Sequence, residues 1–95
     1  MPVGVGFARV VGDGLAVRGS CIVLGYLWRC DKNDEECHVY DGRDAVSGRS
    51  FTKLIGNGNS FYTANFGVGI DFSEGVYVDQ TTTNDEFTVY FTQDS

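Results

Sequence analysis

Apolar and polar residues alternate with a period of two along most of this chain, which predicts half-buried β-strands. The pattern is clearest in the C-terminal half. In Asn65–Phe72, Phe66, Val68, Ile70 and Phe72 fall on one face, against Asn65, Gly67, Gly69 and Asp71. In Gly75–Asp79, Val76 and Val78 point one way while Tyr77 and Asp79 point the other. In Glu86–Thr92, Phe87, Val89 and Phe91 form the apolar face, opposite Thr88, Tyr90 and Thr92. The N-terminal half is less regular. Val3–Val11 and Leu15–Arg18 flank Gly12-Asp13-Gly14, a sequence suited to a turn with positive φ. Ser20–Arg29 is apolar on both faces, with Ile22, Leu24, Tyr26 and Trp28 opposite Val23, Gly25 and Leu27, and is expected to be a central strand or one packed under a neighbour. Cys37–Tyr40 reads as a short strand ending at Asp41-Gly42. Ser50–Ile55 reads as another, followed by a loop tip over 56–60. Thr81–Asp85 is expected to close a final hairpin.

Nowhere do apolar residues recur at i, i+3, i+4 and i+7 over three turns, so essentially no helix is predicted. Seven or eight short strands, with turn signals about every 8–12 residues, predict one all-β domain over residues 1–95. Its expected architecture is an antiparallel β-sandwich of jelly-roll type.

Composition sharpens this in two respects. A domain of 95 residues buries only roughly two-thirds of the surface its unfolded chain exposes, so a partner subunit would add useful stability. The net charge of −6 is unevenly placed. All seven basic residues (Arg9, Arg18, Arg29, Lys32, Arg43, Arg49, Lys53) lie in residues 1–53, where seven acids balance them, and residues 54–95 hold six acids and no base. Phosphate contacts need clustered Lys and Arg, so nucleic acid is not an expected partner. No apolar run approaches the ~20 residues of a membrane helix, so no membrane partner is expected. The N-terminus has no basic segment leading into an apolar one, so synthesis and folding in a cytoplasm are expected.

Little in the sequence suggests catalysis. With one histidine, His38, and no G-x-S-x-G, a nucleophile–base–orienter set has almost no material. Gly4-Val5-Gly6 and Gly67-Val68-Gly69 lack the third glycine and the strand-to-helix context of a dinucleotide loop. They read as strand glycines. Cys21, Cys30, Cys37 and His38 could in principle hold zinc, but the cysteine gaps of eight and six residues do not match structural zinc spacing. The run Asp31-Lys32-Asn33-Asp34-Glu35-Glu36 has Glu where the EF-hand loop needs glycine at its sixth position, and Gly42 where that loop needs Glu. It reads as a solvated acidic loop, although acidic loops of sandwiches do bind calcium without that motif. No metal, no cofactor and no enzymatic activity are expected. Cys30 and Cys37 flank this loop. A disulfide between them is geometrically open if the flanking strands pair, and free half-buried thiols are the alternative. Tyr40, Tyr77 and Tyr90 fall on nominal outer faces, while Tyr26 and Trp28 share a face. These aromatics are either inner-face residues of a second sheet or an exposed patch for a subunit or a sugar.

One extended pattern has a counterpart elsewhere. It runs from Val39-Tyr40-Asp41-Gly42 with Ser47-Gly48, through Phe66-Gly67-Val68-Gly69-Ile70-Asp71-Phe72 and Gly75-Val76-Tyr77-Val78-Asp79, to Phe87-Thr88-Val89-Tyr90. Over residues 37–92 the chain resembles the small β-sandwich accessory proteins of tailed-bacteriophage virions. The acidic loop between Cys30 and Cys37 and the first 20 residues have no counterpart in that pattern. The resemblance implies a non-enzymatic virion component, made in the host cytoplasm, of the capsid decoration (cement) or head-fibre type. Copies would oligomerise, a trimer being one form, and bind the major capsid protein. Interfaces draw their energy from aromatic and arginine anchors, and Tyr26, Trp28, Arg29, Tyr40, Arg9 and Arg18 are the candidates here. The arginine-bearing N-terminal half is expected to face the capsid and the acidic C-terminal half solvent. A neck, tail or fibre subunit is the nearest alternative. A carbohydrate-binding module, with Trp28 and a tyrosine stacked on sugar, is the other.

Overall fold

The computed structural model describes residues 4–58, 60–80 and 85–93. Eight strands follow one another, β1 (Gly4–Val11), β2 (Gly14–Arg18), β3 (Cys21–Cys30), β4 (Glu36–Asp41), β5 (Arg49–Ile55), β6 (Ser60–Phe72), β7 (Gly75–Gln80) and β8 (Glu86–Gln93). No described residue is helical, and no helix is long and apolar enough to cross a membrane. Two four-stranded antiparallel sheets have the orders β1-β8-β3-β6 and β2-β7-β4-β5. Every step along the chain crosses from one sheet to the other except β4 to β5, which joins paired neighbours within the second sheet. That alternation of sheets is the jelly-roll topology the strand pattern predicts.

The topology corrects two local expectations. Residues 81–84 lie outside the described residues, but the strands they join form no hairpin. β7 sits between β2 and β4, and β8 sits between β1 and β3 in the other sheet. Likewise β3 and β4 belong to opposite sheets, so the pairing that would bring Cys30 and Cys37 to disulfide distance does not occur. Cys21, Cys30 and Cys37 are all buried free thiols, and the Cys30 Sγ–H instead donates to the Gly58 carbonyl at 3.0 Å. The ends of the described chain do pair, with Gly4 opposite Gln93 in the β1–β8 ladder.

The core lies between the sheets. Trp28, Phe87 and Val89 from the first sheet meet Cys37, Val39, Val76 and Val78 from the second, all fully or almost fully buried. Tyr26, Tyr62, Phe66 and Phe51 pack around them. Trp28 stacks on Tyr62 at 5.5 Å between ring centroids, and its indole N–H donates to Gln80 Oε1 at 3.0 Å. The Gln80 amide in turn donates to the Gly12 and Val10 carbonyls at 2.5 and 3.3 Å. A buried Trp and a buried Gln thus satisfy each other and tie the β1–β2 turn to the core.

Two strands break the period-two pattern at the same place. The β3–β6 register jumps between Val23 and Gly25, passing from Ile70 directly to Asn65. On β6 this bulge contains Gly67 and Gly69, whose φ values of 63° and 102° reverse the strand's facing. Val68, expected beside Phe66 and Ile70 on the buried face, is therefore 96% exposed. On β3 the same jump changes parity, so Cys21 and Val23 are buried on the side where Tyr26, Trp28 and Cys30 continue, and Ile22 faces out.

Candidate interaction face

The outer side of the first sheet is built in three rows by strand register. Phe7, Tyr90, Gly25 and Asn65 lie side by side across β1, β8, β3 and β6. Arg9, Thr88, Leu27 and Thr63 form the next row, and Val11, Glu86, Arg29 and Phe61 the third. Phe7 is 71% exposed and Phe61 65%, with Val11 and Tyr90 also open to solvent. Phe7 and Tyr90 are neighbours in the first row, whereas Val11 and Phe61 stand at opposite edges of the third with Glu86 and Arg29 between them, so exposed apolar side chains are distributed around a charged group.

Charge organises the middle of this face. Glu86 on β8 is held between Arg9 on β1 and Arg29 on β3. The Arg29 Nε–H donates to Glu86 Oε2 at 2.8 Å. Exposed ion pairs contribute only about 0–1 kcal/mol each to stability. Their larger effect is to hold two guanidinium groups on the same sheet face as Phe7, Tyr90 and Phe61, a composition typical of interface anchors. Next to the first row, the absence of a side chain at Gly25 leaves an open depression of about 610 Å³, lined by Leu24, Leu27, Thr63, Asn65 and Tyr90. Only glycine fits there, because a Cβ would stand 2.5 Å from the Ala64 carbonyl oxygen of the adjacent strand.

Of the residues singled out from sequence, Arg9 and Arg29 meet on this face, across Glu86. Trp28 does not join them. It is 0% exposed, so it can neither anchor a partner nor stack on a sugar, which removes the platform of the carbohydrate-binding reading. Tyr26 is turned into the sandwich, stacked on Phe87 at 5.4 Å and tilted against Phe66 at 5.9 Å. Arg18 lies at the end of β2, beside a smaller depression that Arg43 and Glu74 also line. Tyr40 is on the outer side of the second sheet. Trp28 and Tyr26 are separated from Arg9 and Arg29 by facing the core, and Arg18 and Tyr40 by belonging to the second sheet.

The outer side of the second sheet carries titratable groups, with Ile55 exposed at its edge. Tyr40 stacks on His38 with centroids 4.3 Å apart, and its hydroxyl is 3.0 Å from His38 Nδ1. His38 Nε2 is 2.7 Å from Ser50 Oγ, so the imidazole is spanned by two hydroxyls across β4 and β5. His38 faces outward while the adjacent Cys37 faces the core, so the two cannot share a zinc ion. Beside them, burial and then the neighbouring Asp13 push the Asp79 carboxyl upward from its ordinary pKa, against the opposing pull of His38.

The fold also corrects the expected charge polarity. Each sheet interleaves strands from both halves of the chain, so the neutral half and the acidic half do not occupy opposite sides. Arg9 and Arg29 from the first half flank Glu86 from the second.

Phe7 and Phe61 are not marked by any motif, although each shares strand parity with an outward polar neighbour, Arg9 at i+2 and Thr63 at i+2. Glu86 could be placed only once the β1–β8–β3 register was known. Comparison of the chain with known protein families, with curated proteins and with solved structures finds no match.

Proposed function

We propose that this protein is a non-enzymatic structural component of a bacteriophage virion, a capsid decoration protein whose copies associate with one another and bind the shell of the major capsid protein. The observation that carries the reading is the outer face of the first sheet, where Phe7, Tyr90, Val11 and Phe61 surround the Arg9–Glu86–Arg29 group. Burying such a face against a neighbour supplies the apolar contact area that a small sandwich lacks on its own. The jelly roll adds support by analogy, since viral capsid domains use it alongside lectins and cupins. The sequence resemblance over residues 37–92 supplies the particular class.

Quantitative mass spectrometry of particles purified from the source that encodes this chain tests the reading. A copy number comparable to that of the major capsid protein is expected. A ring-like stoichiometry would move the protein to the neck or tail, and absence from purified particles would overturn the virion reading altogether.

A further inference from the structure

Most of the acidic segment between β3 and β4 is open to solvent, as its composition suggests, but one of its acids is not. Glu35 is 4% exposed. Its Oε1 accepts the backbone N–H groups of Asp31 and Lys32 at 3.2 and 3.0 Å, which draws its side chain back over the start of the segment. Asp85, which leads into β8, meets it from the other side of the chain. Asp85 Oδ1 accepts the Asp31 N–H at 3.3 Å. One oxygen from each of Asp31, Glu35 and Asp85 lies within 4.8 Å of the other two.

Three carboxylates gathered so closely need positive charge. Among the described residues, no lysine, arginine or histidine forms an ion pair with any of them. Asp85 is 0% exposed, and its Oδ2 is buried without a hydrogen-bond partner, as is Oδ1 of Asp31. A buried, unpartnered carboxylate oxygen is costly unless a proton or a metal satisfies it. We propose that Asp31, Glu35 and Asp85 form a calcium site that clasps the β3–β4 segment to the start of β8. The donor set is all oxygen, as hard cations require. Two ligands on opposite sides of a calcium ion, each at about 2.4 Å, stand about 4.8 Å apart, and the three oxygens lie no further apart than that. Magnesium, with bonds of about 2.0–2.1 Å and a strict octahedron, spans less and retains more of its water. Water completes the shell, because three carboxylates alone fall short of the six to eight oxygens calcium takes.

The competing arrangement is a shared proton. The Asp85 carboxyl is pushed up to about 6, first by its burial and then by Glu35. Calcium and protons therefore compete for the same oxygens, and the test separates them. The full chain, stripped with EGTA, is followed by thermal unfolding at pH 7.5 with and without 5 mM calcium, and with magnesium as control. For an affinity near the ~10⁻⁴–10⁻³ M of extracellular calcium modules, the melting temperature should rise by at least about 4 °C. Magnesium should give less than half that shift. Asp85→Asn removes one charge and the clash within the cluster, so it should fold at least as well without metal and lose the calcium response. No shift in the wild type at 5 mM calcium would overturn the site, as would an equal shift in Asp85→Asn or an equal response to magnesium. Isothermal titration of calcium into the wild type should give close to one ion per chain, and a featureless titration would also overturn it.

Discussion

The Trp28–Gln80 contact makes a quantitative prediction about what holds the two sheets together. Trp28→Phe keeps an aromatic ring in the core but removes the indole donor, leaving Gln80 Oε1 without the partner now at 3.0 Å. An orphaned buried acceptor costs about 1–3 kcal/mol, and the smaller ring leaves unfilled volume worth about another 1 kcal/mol. The sum, roughly 2–4 kcal/mol, corresponds to a fall in Tm of at least about 8 °C for a domain this small. Gln80→Met has its own consequences, since it strands the Trp28 N–H together with the Gly12 and Val10 carbonyls that the Gln80 amide serves. In the double variant neither partner of the Trp–Gln bond is left waiting for the other. Its destabilisation should fall short of the sum of the singles by about 1–2 kcal/mol. Scanning calorimetry and urea unfolding of the four proteins measure this. Trp28 is the chain's one tryptophan, so in Trp-containing members a red shift of its emission reports the same transition. Additivity within about 0.5 kcal/mol, or a Trp28→Phe loss of Tm below 2 °C, would refute the reasoning, because either would mean the bond contributes nothing across the sandwich.

Four further outcomes follow from the geometry. Burial disfavours the Asp41 carboxylate, but the N–H groups of Ser73 and Glu74 and the Ser73 hydroxyl outweigh that and hold its pKa below the ordinary value. A folded-state pKa below the unfolded one contributes stability that is present above the unfolded value, near 3.8, and lost as pH falls through the folded one. Tm of the wild type should therefore drop more steeply between pH 5 and pH 2 than that of Asp41→Asn, and parallel curves would count against the clamp. The Cys21 thiol is pushed up to about 11 by burial and then by Asp41, and burial, ahead of Asp85 and Asp79, raises Cys37 as well. A thiol reagent at pH 8 should label none of the three cysteines in the folded protein and all three in denaturant without reductant; one label in denaturant would mean that two are bridged. Gly25→Ala drives a Cβ to within 2.5 Å of the Ala64 carbonyl and should lower stability by about 1–3 kcal/mol on urea unfolding. Phe7→Glu combined with Phe61→Glu should leave the Tm within about 3 °C of wild type, since both side chains are exposed. In sedimentation and particle-binding assays it should abolish association, and undiminished binding would remove this face from the proposed function.

The strands were legible in the sequence wherever each residue's neighbours decide its facing. Val76, Val78, Phe87 and Val89 alternate cleanly and are all essentially buried, because a half-buried strand needs only its own period to be read. The exceptions cluster at 24 and 67–69, where two positive-φ glycines let β6 loop out against β3. A bulge shifts the parity of everything beyond it, so Val68 and Ile22 turn outward although their local pattern places them with core residues. The interaction face was less legible for a different reason. Its rows are made by pairing strands far apart in the chain, and nothing near Glu86 in sequence announces that Arg9 and Arg29 will flank it. The same long-range assembly brings Asp85 to Asp31 and Glu35, so two acids of a largely water-facing loop become part of a carboxylate cluster.

The pairing of Gly4 with Gln93 has a topological consequence. Opposite residues of an antiparallel ladder stand about 5 Å apart, so the chain enters and leaves the sandwich at one point, as a loop enters and leaves a larger fold. A linker of a few residues could join the two ends, and a cut in the exposed 43–47 segment would then give a permuted chain with the same ladders. Equally, the domain could be carried as an insertion within another protein's surface loop without stretching either host strand. Anything attached at either end would leave from the same corner of the molecule.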